Sequence, residues 1–123
     1  MKRFLSLWLP VALYVGFIFW VSSVRRPIPL MRFFPRVDKL YHFMEYLPLG
    51  WLLARALRGS SPRLSWAIVV WGAVLLAACV GGSDEFYQSF VPGKVSSVWD
   101  AVADVAGASL GCSYFISKRA RTP

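Results

Sequence analysis

The six acidic residues of this chain fall into three short stretches, 38–45, 84–85 and 100–104, and no others occur. Between and around them run four apolar segments, each long enough to cross a bilayer. A hydrocarbon core of about 30 Å takes roughly 20 helical residues to span. The segments predict helices over 4–24, 40–57, 64–82 and 98–117. With 57% hydrophobic residues, the chain lacks the polar surface a soluble domain of this size requires. The expected fold is all-α, a small four-helix transmembrane bundle in a single domain over 1–123. Four crossings put both termini on one side and gather all three acidic stretches on the other.

The first segment follows Met1-Lys2-Arg3 and carries no charge. It is too long for the apolar region of a typical signal peptide, and Ser22-Ser23-Val24-Arg25 offers no small-x-small cleavage site, so it reads as a retained span. Arg58-Gly59-Ser60-Ser61-Pro62-Arg63 reads as a tight turn, and Pro92-Gly93 marks the connection between the third and fourth spans. The 25–37 connection holds Pro27, Pro29 and Pro35 among arginines, which argues against a regular helix there. Trp8, Trp20, Trp66 and Trp99 fall near span ends, where an amphipathic ring prefers the interface. Cys79 and Cys112 lie at depths that differ by on the order of 15 Å, too far for a disulfide. No nucleotide, redox or nucleophile-elbow motif is present, and the arginines are not gathered on a soluble face as nucleic-acid binding would need.

The side of the termini carries eight basic residues and no acid: Lys2, Arg3, Arg55, Arg58, Arg63, Lys118, Arg119 and Arg121. The other side carries Arg25, Arg26, Arg32, Arg36, Lys39 and Lys94 with all six acids. The formal charge of +8 therefore belongs to the side of the termini. Counting only Lys and Arg, the positive-inside rule favours cytoplasmic termini and an acidic site outside the cytoplasm. The expected location is the inner (cell) membrane, multi-pass.

Asp38, His42 and Glu45 are spaced i, i+4, i+7 and share one helical stripe. Asp84, Glu85 and Gln88 do the same if the third helix continues, or restarts, after Gly81-Gly82. Asp100 and Asp104 are again i, i+4, and their stripe runs on to Gly107 and Gly111. A glycine pair at this spacing lets another helix approach closely, so the aspartates above it should also face the bundle interior. Glu45 and Asp104 lie within apolar helices, where a carboxylate is costly unless paired, hydrated or bound to something, and so marks function by default. His42, flanked by acids on its own stripe, reads as a proton carrier or ligand. His42, Glu45 and Asp104 are the candidate catalytic residues. Asp38, Lys39, Asp84, Glu85, Gln88, Lys94 and Asp100 join them as ligand-binding candidates. A structural reading competes for some of these. Asp38 and Asp84 could be N-caps, the latter of a short separate helix, and Ser97-x-x-Asp100 has the form of a capping box.

The blocks Asp38-Lys39-x-x-His42-Phe43-x-x-Tyr46-x-x-x-Gly50, Asp84-Glu85-x-x-Gln88-x-Phe90-x-Pro92-Gly93-Lys94 and Ser97-x-x-Asp100-x-x-x-Asp104-x-x-Gly107-x-x-x-Gly111 together resemble the VanZ-like membrane proteins. Phe19-Trp20-x-Ser22-Ser23 fits the same family. The family is named for a protein linked to resistance against the glycopeptide teicoplanin, so the resemblance implies a cell-envelope context rather than a reaction. It also brings Tyr46 into the ligand-binding set. Two positions depart from the pattern: Lys94 stands where many members carry Arg, and Asp104 where the pattern often carries Asn.

Three functions follow as expectations. The first is a site that binds or modifies an amphiphilic envelope molecule, with membrane lipids as partners and the 25–37 connection holding its acidic groups. His42, Glu45 and Asp104 would supply acid/base chemistry, while Ser22 and Ser97 are nucleophile candidates by position alone. The second is a divalent-metal site, since the donor types suit Mg²⁺, Mn²⁺ or Zn²⁺ although no ligand spacing is diagnostic; apart from such an ion, no cofactor is expected. The third is a non-catalytic scaffold or partner subunit, or a homo-oligomer formed through Gly107 and Gly111.

Overall fold

The computed structural model describes residues 1–24, 36–93 and 97–121. Four helices follow one another: α1 (Lys2–Val24), α2 (Val37–Ser60), α3 (Trp66–Gln88) and α4 (Val98–Ala120). Among the described residues there is no strand.

Ser65 caps α3 with an extended backbone, its hydroxyl accepting from Ile68 N at 3.3 Å. That places the start at Trp66, two residues later than expected. The far end differs more. α3 passes through Gly81-Gly82 without interruption and ends at Gln88. Two glycines lower helix propensity, but in an apolar surround the backbone has no water to bond instead, so the helical hydrogen bonds persist. Gly93 closes the following turn with φ of 82°, in the left-handed region that glycine enters without a steric penalty.

The start of α1 lies beside the end of α2, where Arg3 Nη2 donates to Gly59 O at 3.1 Å and Trp8 Nε1 to Ser60 Oγ at 2.8 Å. Ser22 near the end of α1 meets Asp84 near the end of α3, and His42 near the start of α2 meets Asp104 near the start of α4. Helices α1 and α3 therefore run parallel to each other, as do α2 and α4.

The α2–α4 pair is the most extensive helix contact in the molecule, and glycine creates it. A Cβ on Gly107 would collide with the Phe43 carbonyl, on Gly111 with the Leu47 carbonyl, and on Gly50 with the Ala108 carbonyl. All three obstacles are backbone, so the helices touch main chain to main chain. Gly107 and Gly111 thus face α2 of their own chain. The close approach that could have received a second copy is occupied within one protomer.

Each helix changes character along its buried face. In α2, His42, Glu45 and Tyr46 precede Leu49, Gly50, Leu53 and Ala54. In α4, Asp100 and Asp104 precede Gly107, Ala108 and Phe115. In α3 the order reverses, Val69, Ala73, Ala77 and Gly81 leading to Asp84 and Gln88. In α1, Leu7, Val11 and Ile18 lead to Ser22. One end of the interior is therefore apolar and the other polar. The exterior is the inverse of a soluble protein's: Asp84 is 0% exposed, while Trp71 is 74% and Leu75 66% exposed. Acids are almost never fully buried in soluble domains unless paired, and a wide apolar exterior marks a membrane environment.

Among the described residues, two helices, residues 2–23 of α1 and all of α3, are long and apolar enough to cross a membrane. The sequence led us to expect four. Helices α2 and α4 have the length, but each carries acids near its start and basic residues near its end, which lowers their mean hydropathy. Glu45, Asp100 and Asp104 are turned inward, so the composition of α2 and α4 understates how apolar their outer faces are.

Candidate functional site

Three helices bring side chains together at the polar end of the interior. His42 of α2 and Asp104 of α4, each 1% exposed, are joined by a 3.0 Å hydrogen bond between Nδ1 and Oδ1. Gly81 of α3 makes room for this aspartate, since a Cβ there would stand 2.9 Å from Asp104 Oδ2. Glu85, one turn further along α3, completes a group in which His42, Glu85 and Asp104 each place one donor atom within 4.8 Å of the others.

Asp84 is fixed by a second network. Its Oδ2 accepts from Ser22 Oγ at 2.8 Å and from Gln88 Nε2 at 2.7 Å, and Gln88 also donates to Ser22 Oγ at 3.1 Å. Ser22 is fully buried, so this contact ties α1 into the site. Among the described residues, Asp84 Oδ1, Glu85 Oε1, Asp104 Oδ2 and the hydroxyl of Tyr46 find no hydrogen-bond partner.

Nearer the end of the bundle, Lys39 clamps α2 to α4 by bonding Asp100 Oδ1, and it lies 3.6 Å from Asp38 Oδ2. Lys39 precedes the apolar stretch of α2. Partial burial works against its ammonium, yet the hydrogen bond and charge of Asp100, with the charge of Asp38, hold its pKa above the ordinary lysine value. Asp38, His42 and Asp100 form a second group with donor atoms inside 4.8 Å. There the ammonium already supplies the positive charge.

Several sequence readings change here. Asp38 is not an N-cap: Arg36 holds that position in α2, and Asp38 lies in the first turn. Asp84 is not one either, because α3 is continuous. At α4, Ser97 Oγ accepts from Trp99 N at 3.2 Å, but the reciprocal bond expected of Asp100 comes from another helix. Glu85 Oε2 accepts from Ser97 N at 3.1 Å, which leaves Asp100 to Lys39. The histidine hydrogen-bonds Asp104 and shares its 4.8 Å groups with Glu85, Asp38 and Asp100. Glu45 is buried at 7% exposure on the same stripe, and Tyr14 of α1 donates to its main-chain oxygen at 2.8 Å. Lys94 lies outside the described residues, as does the 25–35 part of the first connection.

Sequence reasoning named Ser22 as a nucleophile candidate by position but not as the partner of Asp84, and it did not place Gly81 at the site. A serine near a helix end is an unremarkable residue, and Gly81 signals a break as readily as a cavity. The useful signal for Gly81 is its i, i+4 spacing from Ala73 and Ala77, a small-residue stripe that ends where the acids begin.

The arrangement permits definite chemistry. A carboxylate bonded to Nδ1 orients an imidazole and stabilises its protonated form, so His42 can accept a proton from a bound group and return it. The cluster can also hold a cation. Among the described residues, no lysine or arginine forms an ion pair with Asp84, Glu85 or Asp104.

A family model described as VanZ/LLP1 matches residues 4–119, nearly the whole chain. No curated protein and no solved structure matches it.

Proposed function

The chain belongs to the VanZ/LLP1 family, and from that premise we propose that it binds or modifies an amphiphilic cell-envelope molecule at its acidic, histidine-containing site. In this reading all four helices cross the inner membrane, the termini are cytoplasmic and the site opens outside the cytoplasm, following the distribution of Lys and Arg. The ligand is a molecule with a polar head and a lipid tail, such as a lipid-linked wall precursor or a lipidated glycopeptide. Engaging it would contribute to glycopeptide (teicoplanin) resistance. The observation that carries the reading is the gathering of His42, Asp84, Glu85, Asp100 and Asp104 from three helices at one end of an otherwise apolar bundle. A protein that only filled space would not bury this many acids.

Lipids co-purifying with the protein test the proposal. Wild type should enrich an envelope lipid relative to whole membranes, and His42→Ala should lose it. No enrichment in either sample overturns the binding role. If Asp104→Asn lowers the unfolding temperature but leaves glycopeptide susceptibility unchanged at matched expression, the site is structural and the protein a scaffold.

A divalent cation is a second reading, favoured by the spacing of His42, Glu85 and Asp104. An octahedral ion with bonds of about 2.1 Å holds neighbouring donors on the order of 3 Å apart and opposite ones on the order of 4 Å, inside the 4.8 Å limit that these atoms meet. The partnerless Glu85 Oε1 and Asp104 Oδ2 would serve as ligands. Elemental analysis of the purified protein, with Mn²⁺ titration after chelation, decides it. No metal above background and no Mn²⁺ binding removes this reading.

A further inference from the structure

The opposite end of the bundle holds a second polar feature that the site above does not use. Arg3 of α1, Arg55 and Arg58 of α2 and Arg119 of α4 line one cavity of about 490 Å³. No acid lines it, because every acid in the chain lies toward the other end. Among the described residues, each guanidinium is held by neutral groups alone. Arg3 donates to Gly59 O at 3.1 Å and Arg55 to Ser6 O at 3.5 Å. Arg58 donates to Leu64 O and lies 4.4 Å over the Trp66 ring, while Arg119 lies 6.0 Å from the centre of Phe115.

A guanidinium has five N–H donors, and none of these four spends more than one on a protein atom among the described residues. Four like charges around a concavity repel one another, and among the described residues no acidic side chain pairs with them. The feature that relieves this is an anion with several acceptor oxygens. Arginine's planar fork suits phosphate oxygens better than lysine's point charge does. The volume falls in the range of small-molecule sites, about 300–1,000 Å³.

We propose that this cavity binds the phosphate of an anionic lipid headgroup. A lipid rather than a soluble phosphate is favoured by the walls. Leu7 and Phe115 line the cavity with Trp66, and beside it Phe4 is 60% and Leu5 54% exposed on a helix apolar enough to cross a membrane. A headgroup seated among the arginines would lay its acyl chains along this apolar face. The site shares no residue with the acidic cluster and stands or falls independently of the function proposed for that cluster.

Native mass spectrometry of the purified protein with added phosphatidylglycerol, phosphatidylcholine or inorganic phosphate tests the proposal. Wild type should retain one phosphatidylglycerol and far less phosphatidylcholine, whose headgroup carries no net charge. Arg55→Gln/Arg58→Gln should weaken phosphatidylglycerol binding at least tenfold. Arg63→Gln removes an exposed charge that does not line the cavity and should leave binding unchanged. Arg58→Lys, which keeps the charge and loses the fork, should give an intermediate loss. If the double variant does not fold, Arg119→Gln and Arg58→Lys singly carry the same comparison. Equal losses in Arg63→Gln and the cavity variants would mean a diffuse basic surface and overturn the site. Retention of inorganic phosphate without phosphatidylglycerol would overturn the lipid assignment.

Discussion

Replacing Gly107 with alanine sets two physical effects against each other, and the structure decides which wins. Alanine is favoured over glycine inside a helix by about 1 kcal/mol, so propensity alone makes Gly107→Ala stabilising. The same holds for Gly82→Ala in α3, where an added Cβ meets nothing within 4 Å. At Gly107 the Cβ runs into the Phe43 carbonyl of α2, which is main chain and cannot rotate aside. Overpacking a fitted interface costs about 1–3 kcal/mol, and a backbone obstacle places this case at the upper end. Subtracting the propensity gain leaves a loss of about 2 kcal/mol at Gly107 against a gain of up to about 1 at Gly82. The difference of about 3 kcal/mol corresponds to roughly 10 °C in unfolding temperature for a chain of this length. Thermal unfolding of both variants in one mild detergent, followed by tryptophan fluorescence, measures it. A Gly107→Ala protein that unfolds at or above the temperature of Gly82→Ala refutes the main-chain contact between α2 and α4.

Gly81→Ala should push Asp104 away from its present position, because the new Cβ would stand 2.9 Å from Oδ2. Under the metal reading, Mn²⁺ affinity falls at least tenfold by EPR titration, with a smaller loss of unfolding temperature than Gly107→Ala shows. Lys39→Met leaves Asp100 buried without its cation. Because the Lys39 side chain is 36% exposed, the expected cost is about 1–3 kcal/mol rather than the 3–5 of a fully buried pair, and adding Asp100→Asn should restore most of it. The Lys39 pKa is raised in the folded protein, so its stabilisation is fully present below the ordinary value of 10.5 and is lost as pH rises through the higher folded value. Unfolding temperatures of wild type and Lys39→Met should differ by a constant amount near neutrality and converge only in strong alkali. Ser22→Ala removes a buried donor to Asp84 and an acceptor of Gln88, and should cost about 1–3 kcal/mol in the same melt.

Periodicity and charge made the interior legible where a residue's helical position is enough to orient it. His42, Asp100 and Asp104 share stripes with small or apolar neighbours, and the stripes meet. The pairing between stripes was not legible. Spacing along α2 keeps His42 and Glu45 together, but which acid the imidazole touches depends on how α4 and α3 lie against α2, and Gly50, Gly107, Gly111 and Gly81 set that through contacts no single segment records. Glu85 shows the same limit. Its bond to Ser97 N replaces a local capping interaction with one made between helices. The end of α3 was misjudged for a solvent reason: Gly81-Gly82 would invite a break in water, where the freed backbone groups find new partners.

The α2–α4 pairing joins segments that emerge from the ribosome far apart in time. His42 and Asp104 are 62 positions apart, and their helices run in the same direction, so no hairpin can bring them together early. When α2 has been made, His42 still lacks Asp104, and the pairing waits through the synthesis of α3 until the final helix arrives. Biogenesis therefore passes through a three-helix stage in which His42 is without the aspartate that α4 supplies. A chain truncated before α4 should be recognised by membrane quality control rather than persist as a partly working protein.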